Sequence, residues 1–224
     1  MSNRWNRLIY GFWSPVYDLL FDRLLFASGR RRMFELLQLR GDERVLLVGV
    51  GTGADLPYLP EESKAVGVDL SPAMLRKARN KIQGTADGLL VQADAESLPV
   101  ADASFDVIIL TLILSVVPDA QACWRESLRA LRPGGRAIIF DKFLPDDQSS
   151  GPVRTVMNLG AKLLGTDINR SLGKMLAGTK YTILLNEPSL LNGMYRIIMI
   201  HASQSGEGAT MKAIIVNRMA SGKL

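Results

Sequence analysis

Gly49, Gly51 and Gly53 alternate with single residues in the run Val48-Gly49-Val50-Gly51-Thr52-Gly53, and Asp69 follows about twenty residues after the first of them. Glycine at such positions lets the backbone turn sharply and lets a ligand come where a Cβ would collide. A carboxylate at that distance, ending the next apolar run, is placed to grip the two hydroxyls of a ribose. The pattern describes a site for a nucleoside-containing cofactor. Gly49-x-Gly51-x-x-Ala54 also satisfies the dinucleotide fingerprint, so this loop alone does not separate a nicotinamide cofactor from other nucleosides. The plain alternative is a glycine turn used only for packing, and the position of Asp69 argues against it.

Such a loop needs a strand to deliver it and further strands to hold its partners. Residues 45–48 are four consecutive apolar side chains, which predicts a strand covered on both faces. A helix is expected to start near Ala54 and turn its free N–H groups toward the ligand; Pro57 and Pro60 keep it within residues 54–60. Residues 64–69 read as the second strand. Ser71-Pro72 reads as an N-cap with proline at the first helical position, and the helix continues over 74–82. Residues 89–93, 105–110 and 137–140 read as strands three to five, with a helix over 119–131 ended by Pro133-Gly134-Gly135. This alternation predicts a parallel, doubly wound sheet. Residues 153–177 then form an amphipathic helical insert, followed by strands at 181–185 and 194–201, the second opened by Asn192-Gly193.

Composition narrows the class. The chain has 224 residues, which suits one α/β domain, and 47% of them are hydrophobic, which excludes a disordered protein. Cys123 is the one cysteine, so no intramolecular disulfide forms and a reducing compartment is expected. His201 is the one histidine, so no histidine-based metal site or triad is expected. The net charge of +5 favours an anionic partner surface. No signal peptide is evident, and no apolar run reaches the length of about 18 residues that crosses a bilayer.

The N-terminal 39 residues are aromatic and basic. Tyr17, Leu20, Phe21 and Leu24 fall on one helical face within 16–26, and a second helix is expected over 31–39. Trp5, Trp13 and the cluster Arg30-Arg31-Arg32 suit a helix lying in a membrane interface. The alternative is a helix that packs on the domain and lids its pocket, and one helix can do both. The expected arrangement is a lid over 1–39, a cofactor-binding domain over 40–201, and a linker and tail over 202–224. The expected location is cytoplasmic, peripheral to the inner face of the cytoplasmic membrane, with no nucleic-acid partner.

Downstream motifs separate the cofactors. Gln92-Ala93-Asp94-Ala95, Ser104-Phe105-Asp106-Val107-Ile108 and Leu131-Arg132-Pro133-Gly134-Gly135 follow the glycine loop and Asp69 in the order that resembles the class I S-adenosylmethionine (SAM)-dependent methyltransferases. Tyr17-Asp18, Gly29-Arg30-Arg31-Arg32, Leu114-Ser115-Val116-Val117-Pro118-Asp119 and Gly193-Met194-Tyr195-Arg196 resemble more narrowly the soluble bacterial phosphatidylethanolamine N-methyltransferases, relatives of the menaquinone-biosynthesis methyltransferases. The resemblance implies a Rossmann-like α/β fold with a seven-stranded, mostly parallel sheet, helices on both faces and N-terminal lid helices. It implies SAM as cofactor and a lipid or small-molecule methyl acceptor at an anionic membrane surface. Gly49, Gly51 and Gly53 would take the methionine part of SAM, Asp69 the ribose, Leu70 and Met74 the adenine face, and Asp94 with the Ala95 N–H the adenine edge. Thr111 would lie beside the methyl-transfer position, with Tyr17 and Tyr10 closing from the lid, which makes Tyr17 and Thr111 the candidate catalytic residues.

The chain departs from the family pattern at Leu47, where the resemblance implies Glu or Asp holding the charged methionine end. Losing such a contact costs roughly 1.5–3 kcal/mol, so Leu47→Glu is expected to tighten SAM binding. The tail over 211–223 resembles the opening strand and nucleotide loop of the diacylglycerol kinase family, with an ordinary C-terminal tail as the alternative. Three functions stay open: methylation of a lipid amine, methylation of a quinone or small metabolite, and a non-catalytic SAM-binding module at a membrane surface.

Overall fold

Val45, Leu46, Leu47 and Val48 send apolar side chains to both sides of the backbone, so the segment that carries them must be covered twice. The computed structural model describes residues 26–82, 87–143, 170–191 and 193–202, and in it this segment is β1 (Arg44–Val48), buried from Val45 onward. Around it lie β2 (Lys64–Asp69), β3 (Leu89–Gln92), β4 (Phe105–Thr111), β5 (Leu131–Lys142), β6 (Tyr181–Pro188) and β7 (Tyr195–Ala202). They form one sheet in the order β3-β2-β1-β4-β5-β7-β6. The pairs among β1 to β5 are parallel, and β7 runs antiparallel to both of its neighbours. This is the Rossmann-like, mostly parallel seven-stranded sheet expected from the motifs.

Alternation along the strands builds two cores. Leu46, Val48, Ile108, Leu110 and Ile139 face α3 (Ala120–Ala130) and the short α4 (Leu172–Leu176), with Trp124 fully buried between them. Val45, Leu47, Val107, Ile109, Ile138 and Phe140 face the other way, onto α1 (Ala27–Leu37) and α2 (Pro72–Ile82), where Met33, Leu37, Ala78 and Ile82 meet them. Local signals set the helix starts. Asp119 caps α3 by accepting from the Ala122 N–H at 2.9 Å, a contact worth about 1 kcal/mol. Ser71 Oγ accepts from the Met74 N–H at 3.4 Å, with Pro72 opening α2.

Three local expectations are corrected. No α-helix starts near Ala54; Pro57 and Pro60 leave room for one 3₁₀ turn, Leu56–Tyr58. Pro133-Gly134-Gly135 does not precede the fifth strand but lies inside β5, because Leu131 pairs with Phe105 and Arg136 with Val107, and the extra residues bulge out between those pairs. The second helix runs over Ala27–Leu37 rather than 31–39, so it takes in Gly29 and Arg30. Tyr10, Tyr17, Trp5 and Trp13, the lid over 1–25, most of the 153–177 insert, and the tail beyond Ala202 lie outside the described residues. Among the described residues no helix is long and apolar enough to cross a membrane.

Candidate active site

At the carboxyl ends of β1 and β4 the chain turns to opposite sides, since β1 leads toward β2 and β4 toward β5. Such a switch point opens a crevice in a doubly wound sheet. The crevice is walled by the glycine loop, the residues after β2 and β3, and the segment after β4. The structure brings Gly49, Gly51, Asp69, Leu70, Met74, Asp94, Ala95 and Thr111 onto this one wall.

The loop is built for close approach. Gly49 and Gly51 have φ of +73° and +55°, a backbone region that L side chains rarely adopt. A Cβ on Gly51 would meet nothing nearer than the Gly49 carbonyl at 3.9 Å, so the bare backbone there faces open cleft. The Gly49 and Val50 N–H groups both donate to the Val68 carbonyl, at 2.8 and 2.9 Å, and tie the loop to β2. Gly53 differs from its two companions. It is absent from the cleft wall, and a Cβ on it would strike Leu56 at 2.8 Å and Ala78 at 3.0 Å, so its role is packing against α2 and not contact with the methionine part of a ligand.

Asp69 ends β2 and is already engaged. Its Oδ2 accepts from the Gly51 N–H and its Oδ1 from the Ser71 N–H, both at 2.8 Å. Burial pushes this carboxyl above its ordinary range, although the Ser71 and Gly51 N–H groups pull it back. Each carboxylate oxygen can accept more than one hydrogen bond, so Asp69 can hold the loop and still receive ligand hydroxyls. Asp94 is fixed in a turn, its Oδ1 accepting from the Glu96 N–H at 3.0 Å. Between these two acids, Leu70, Met74 and Ala95 give an apolar slot for a flat base. Thr111 closes β4 with its Oγ1 set 3.8 Å from Met33 Sδ on α1. Beyond it, Leu112, Ile113, Val116 and Val117 make an apolar wall. That segment is pinned from behind: the Ser115 N–H donates to the fully buried Asp141 at 3.0 Å, and Arg170 donates to the Val117 carbonyl.

Two expectations about charge are corrected here. Arg30 is not a surface group available to a membrane. It is 5% exposed, lines the cleft, and pairs through Nε with Asp55 Oδ1 at 2.8 Å. Arg31 and Arg32 are exposed, and Arg32 reaches Glu187 at 2.9 Å. Leu47 is not on the cleft wall. It is 1% exposed in an apolar cluster with Phe26, Met33, Val50 and Ile109, so a carboxylate placed there would be buried among hydrocarbon instead of meeting a ligand. His201 pairs in register with Arg136 and does not line the cleft.

Asp55 and Arg30 were missed as cleft residues. A signal for Arg30 existed: Arg30, Met33 and Leu37 stand at i, i+3 and i+7, which is one helix face, and that face is the buried one. Asp55 carried no such signal, because its role depends on a partner 25 residues away.

A bare glycine floor, an acid at the ribose-distance position, apolar residues and a second acid on the same wall fit an adenine nucleoside. A model of a methyltransferase domain matches residues 46–139. A phosphatidylethanolamine N-methyltransferase of Cereibacter sphaeroides is 30% identical over 194 residues, 84% of this chain and 93% of that protein. A ubiquinone/menaquinone biosynthesis C-methyltransferase of Azotobacter vinelandii is 34% identical over 167 residues, 67% of this chain and 66% of that protein. Among solved structures, the YcgJ protein of Bacillus subtilis aligns with a TM-score of 0.65 and 21% identity, over 79% of this chain and 99% of that one. The [4+2]-cyclase SpnF aligns with a TM-score of 0.70 and 16% identity, over 92% of this chain and 98% of that one. A fold shared with a cyclase shows architecture and not reaction.

Proposed function

The chain belongs to the class I SAM-dependent methyltransferases, with SAM as methyl donor, and on that footing we propose that its acceptor is a membrane lipid amine, phosphatidylethanolamine methylated toward phosphatidylcholine. The observation that carries this reading is the extent of the likeness to the phosphatidylethanolamine N-methyltransferase. It runs over 84% of this chain and 93% of that relative. The quinone-pathway relative aligns over 67% of this chain. The net charge of +5 supports work at an anionic surface, and the proposed location is the inner face of the cytoplasmic membrane.

Bound SAM supplies an electrophilic sulfonium methyl. The chain's own residues supply alignment and dryness. Gly49 and Gly51 let the backbone approach, Asp69 and Asp94 set the adenosine, and Thr111 lies on the wall where the two strands part. Leu112, Ile113, Val116 and Val117 exclude water beside it. A primary amine attacks only when neutral, and an apolar wall lowers its pKa by disfavouring the ammonium form. The rigid pinning of this segment by Asp141 and Arg170 keeps the acceptor path fixed.

The test is incubation with radiolabelled SAM and vesicles of phosphatidylethanolamine and phosphatidylglycerol, with a demethylated quinone in a parallel set. Label in the lipid amine is the expected result. Label in the quinone and none in the lipid would replace this reading with the C-methyltransferase one. Surface docking is tested by co-sedimentation: Arg31→Gln with Arg32→Gln is expected to weaken binding to anionic vesicles, since each charge near such a surface contributes about 1 kcal/mol. Unchanged sedimentation would move the acceptor toward a small soluble molecule.

A further inference from the structure

Gly49 and Gly51 stand two residues apart on the cleft wall, and their missing Cβ atoms leave different spaces. At Gly51 that space is open cleft. At Gly49 it is filled: a Cβ would strike Ile113 Cδ1 at 2.6 Å, Cγ1 at 2.7 Å and Cβ at 2.9 Å. The Ile113 side chain therefore lies on the backbone of the glycine loop, closer than a Cβ at 49 would allow. Ile113 comes from the segment after β4, and the chain is bent to deliver it. Leu112 has φ of +56°, a region that bulky L side chains rarely adopt, and its N–H donates to the Phe140 carbonyl at 2.8 Å. Strain of this kind on a cleft wall, held by the surrounding fold, marks a place where the direction of the chain matters. The Ile113 carbonyl accepts from the Val116 and Val117 N–H groups at 2.9 and 3.0 Å, which ties it to the rest of the apolar wall. On the other side, the glycine loop is joined to Asp69 through the Gly51 N–H. Through Ile113 the wall rests on the cofactor loop.

We propose that Ile113 is a positioning residue for methyl transfer: seated on Gly49, it makes the wall that guides the acceptor take its place from the cofactor loop, so that the wall is set once the cofactor is bound. A productive transfer needs the attacking atom about 3–3.5 Å from the methyl carbon and aligned with it. The loop holds one reactant and the wall guides the other, so the spacing between loop and wall sets that distance. A misplacement of about 1 Å costs roughly a hundredfold in rate. An apolar side chain packed on bare backbone suits this task, because a tightly packed contact transmits a displacement instead of absorbing it. The assignment rests on SAM binding in the cleft and is independent of which acceptor is methylated.

Hydrogen exchange and kinetics on the whole protein test it. In the parent, S-adenosylhomocysteine is expected to slow exchange of the Val116 and Val117 N–H groups about tenfold or more. Ile113→Ala removes the seat and should lose that protection, while S-adenosylhomocysteine affinity by calorimetry stays within about threefold of the parent. With radiolabelled SAM and phosphatidylethanolamine vesicles, kcat of the same variant should fall roughly ten- to a hundredfold, and KM for the lipid should change less than about threefold. Ile113→Val keeps the Cβ and Cγ1 contacts and should bring protection and kcat back to within about threefold of the parent. Protection that persists in Ile113→Ala, protection that never forms in the parent, or an alanine variant with the kcat of the parent would overturn the assignment. So would a loss of S-adenosylhomocysteine affinity as large as the loss in kcat. If the vesicles take no label from the parent, the acceptor reading alone fails, and exchange decides the role of Ile113 without an acceptor.

Discussion

Two ion pairs with a buried acid sit at opposite ends of the same sheet, and they are built differently. At the amino ends of the strands, Glu43 meets Arg136 through two bonds, Nη1 to Oε1 at 2.6 Å and Nη2 to Oε2 at 2.9 Å. Arg136 also donates to the Leu37 carbonyl, and Glu43 accepts from the Arg40 N–H at 2.9 Å. That pair joins β5 to the end of α1 and the entry of β1, and neither residue lines the cleft. At the carboxyl ends, Arg30 meets Asp55 through Nε on the wall of the cleft. The first pair is a two-pronged clasp whose partners are all backbone and side chain of the fold. The second lies on the wall of the cleft. Both acids are buried, but the Arg136 side chain is 22% exposed and that of Arg30 only 7%, and each pair faces a different element.

That contrast can be broken from either side. The largest effect is expected at the clasp. Glu43→Leu leaves the partly exposed Arg136 without its counter-charge and should cost about 1.5–3 kcal/mol of stability, read by urea unfolding. S-adenosylhomocysteine affinity of the folded fraction should stay at the parent value. A comparable loss of affinity would mean that the two ends of the sheet are coupled.

Next comes Gly29→Ala. The added methyl must push α1 away from Phe140, which overpacks the core by about 1–3 kcal/mol. Because Arg30 follows directly and lines the cleft, S-adenosylhomocysteine affinity should fall as well. Loss of stability with no loss of affinity would show that the seating of α1 does not reach the cleft.

Acid sharpens the comparison further. Burial alone would push the Glu43 carboxyl up, but the Arg136 and Arg40 contacts outweigh it and hold it below the usual glutamate range. A depressed folded value means that its stabilisation is present above about pH 4.3, the unfolded value, and is lost as pH falls through the folded one. Burial drives Asp69 and Asp141 the other way, so their contribution is present below the ordinary aspartate range and lost as pH rises through their folded values. Glu43→Gln should therefore flatten the acid limb of a stability-against-pH curve. An unaltered limb would place the acid sensitivity elsewhere.

The smallest effect is expected at the surface. Arg32 and Glu187 pair across 2.9 Å, but Arg32 has a half-exposed side chain, and such pairs contribute about 0–1 kcal/mol. Glu187→Gln should leave stability within that margin. A larger loss would make this exposed pair a structural link between α1 and β6.

Much of the sheet was legible because its signals are local. Val45 to Val48 could only be a doubly covered strand, and Ser71-Pro72 could only open a helix with that cap and that ring. Asp69 stood out by its distance from Gly49, and the structure ties it to the same loop through the Gly51 N–H. Gly53 misled because a glycine that admits a ligand and a glycine that admits a neighbouring helix look alike in a string of letters. Pro133-Gly134-Gly135 misled because a helix stop and a strand bulge use the same residues. Arg30 misled most, since it stands between Gly29 and two exposed arginines and shares their composition.

Residue types and short spacings determined the strands, the order of the motifs and the placing of Asp69 and Asp94 at strand ends beside the cleft, since each depends on neighbours within a few residues or on a fixed strand-to-strand interval. Tertiary structure alone decided which arginine turns inward, which acid it meets, and which glycine faces the ligand. Those depend on the rotation of α1 about its axis and on the depth at which it packs over Phe140. Contacts across 25 residues between Arg30 and Asp55, or 93 between Glu43 and Arg136, are written by the packing of whole elements.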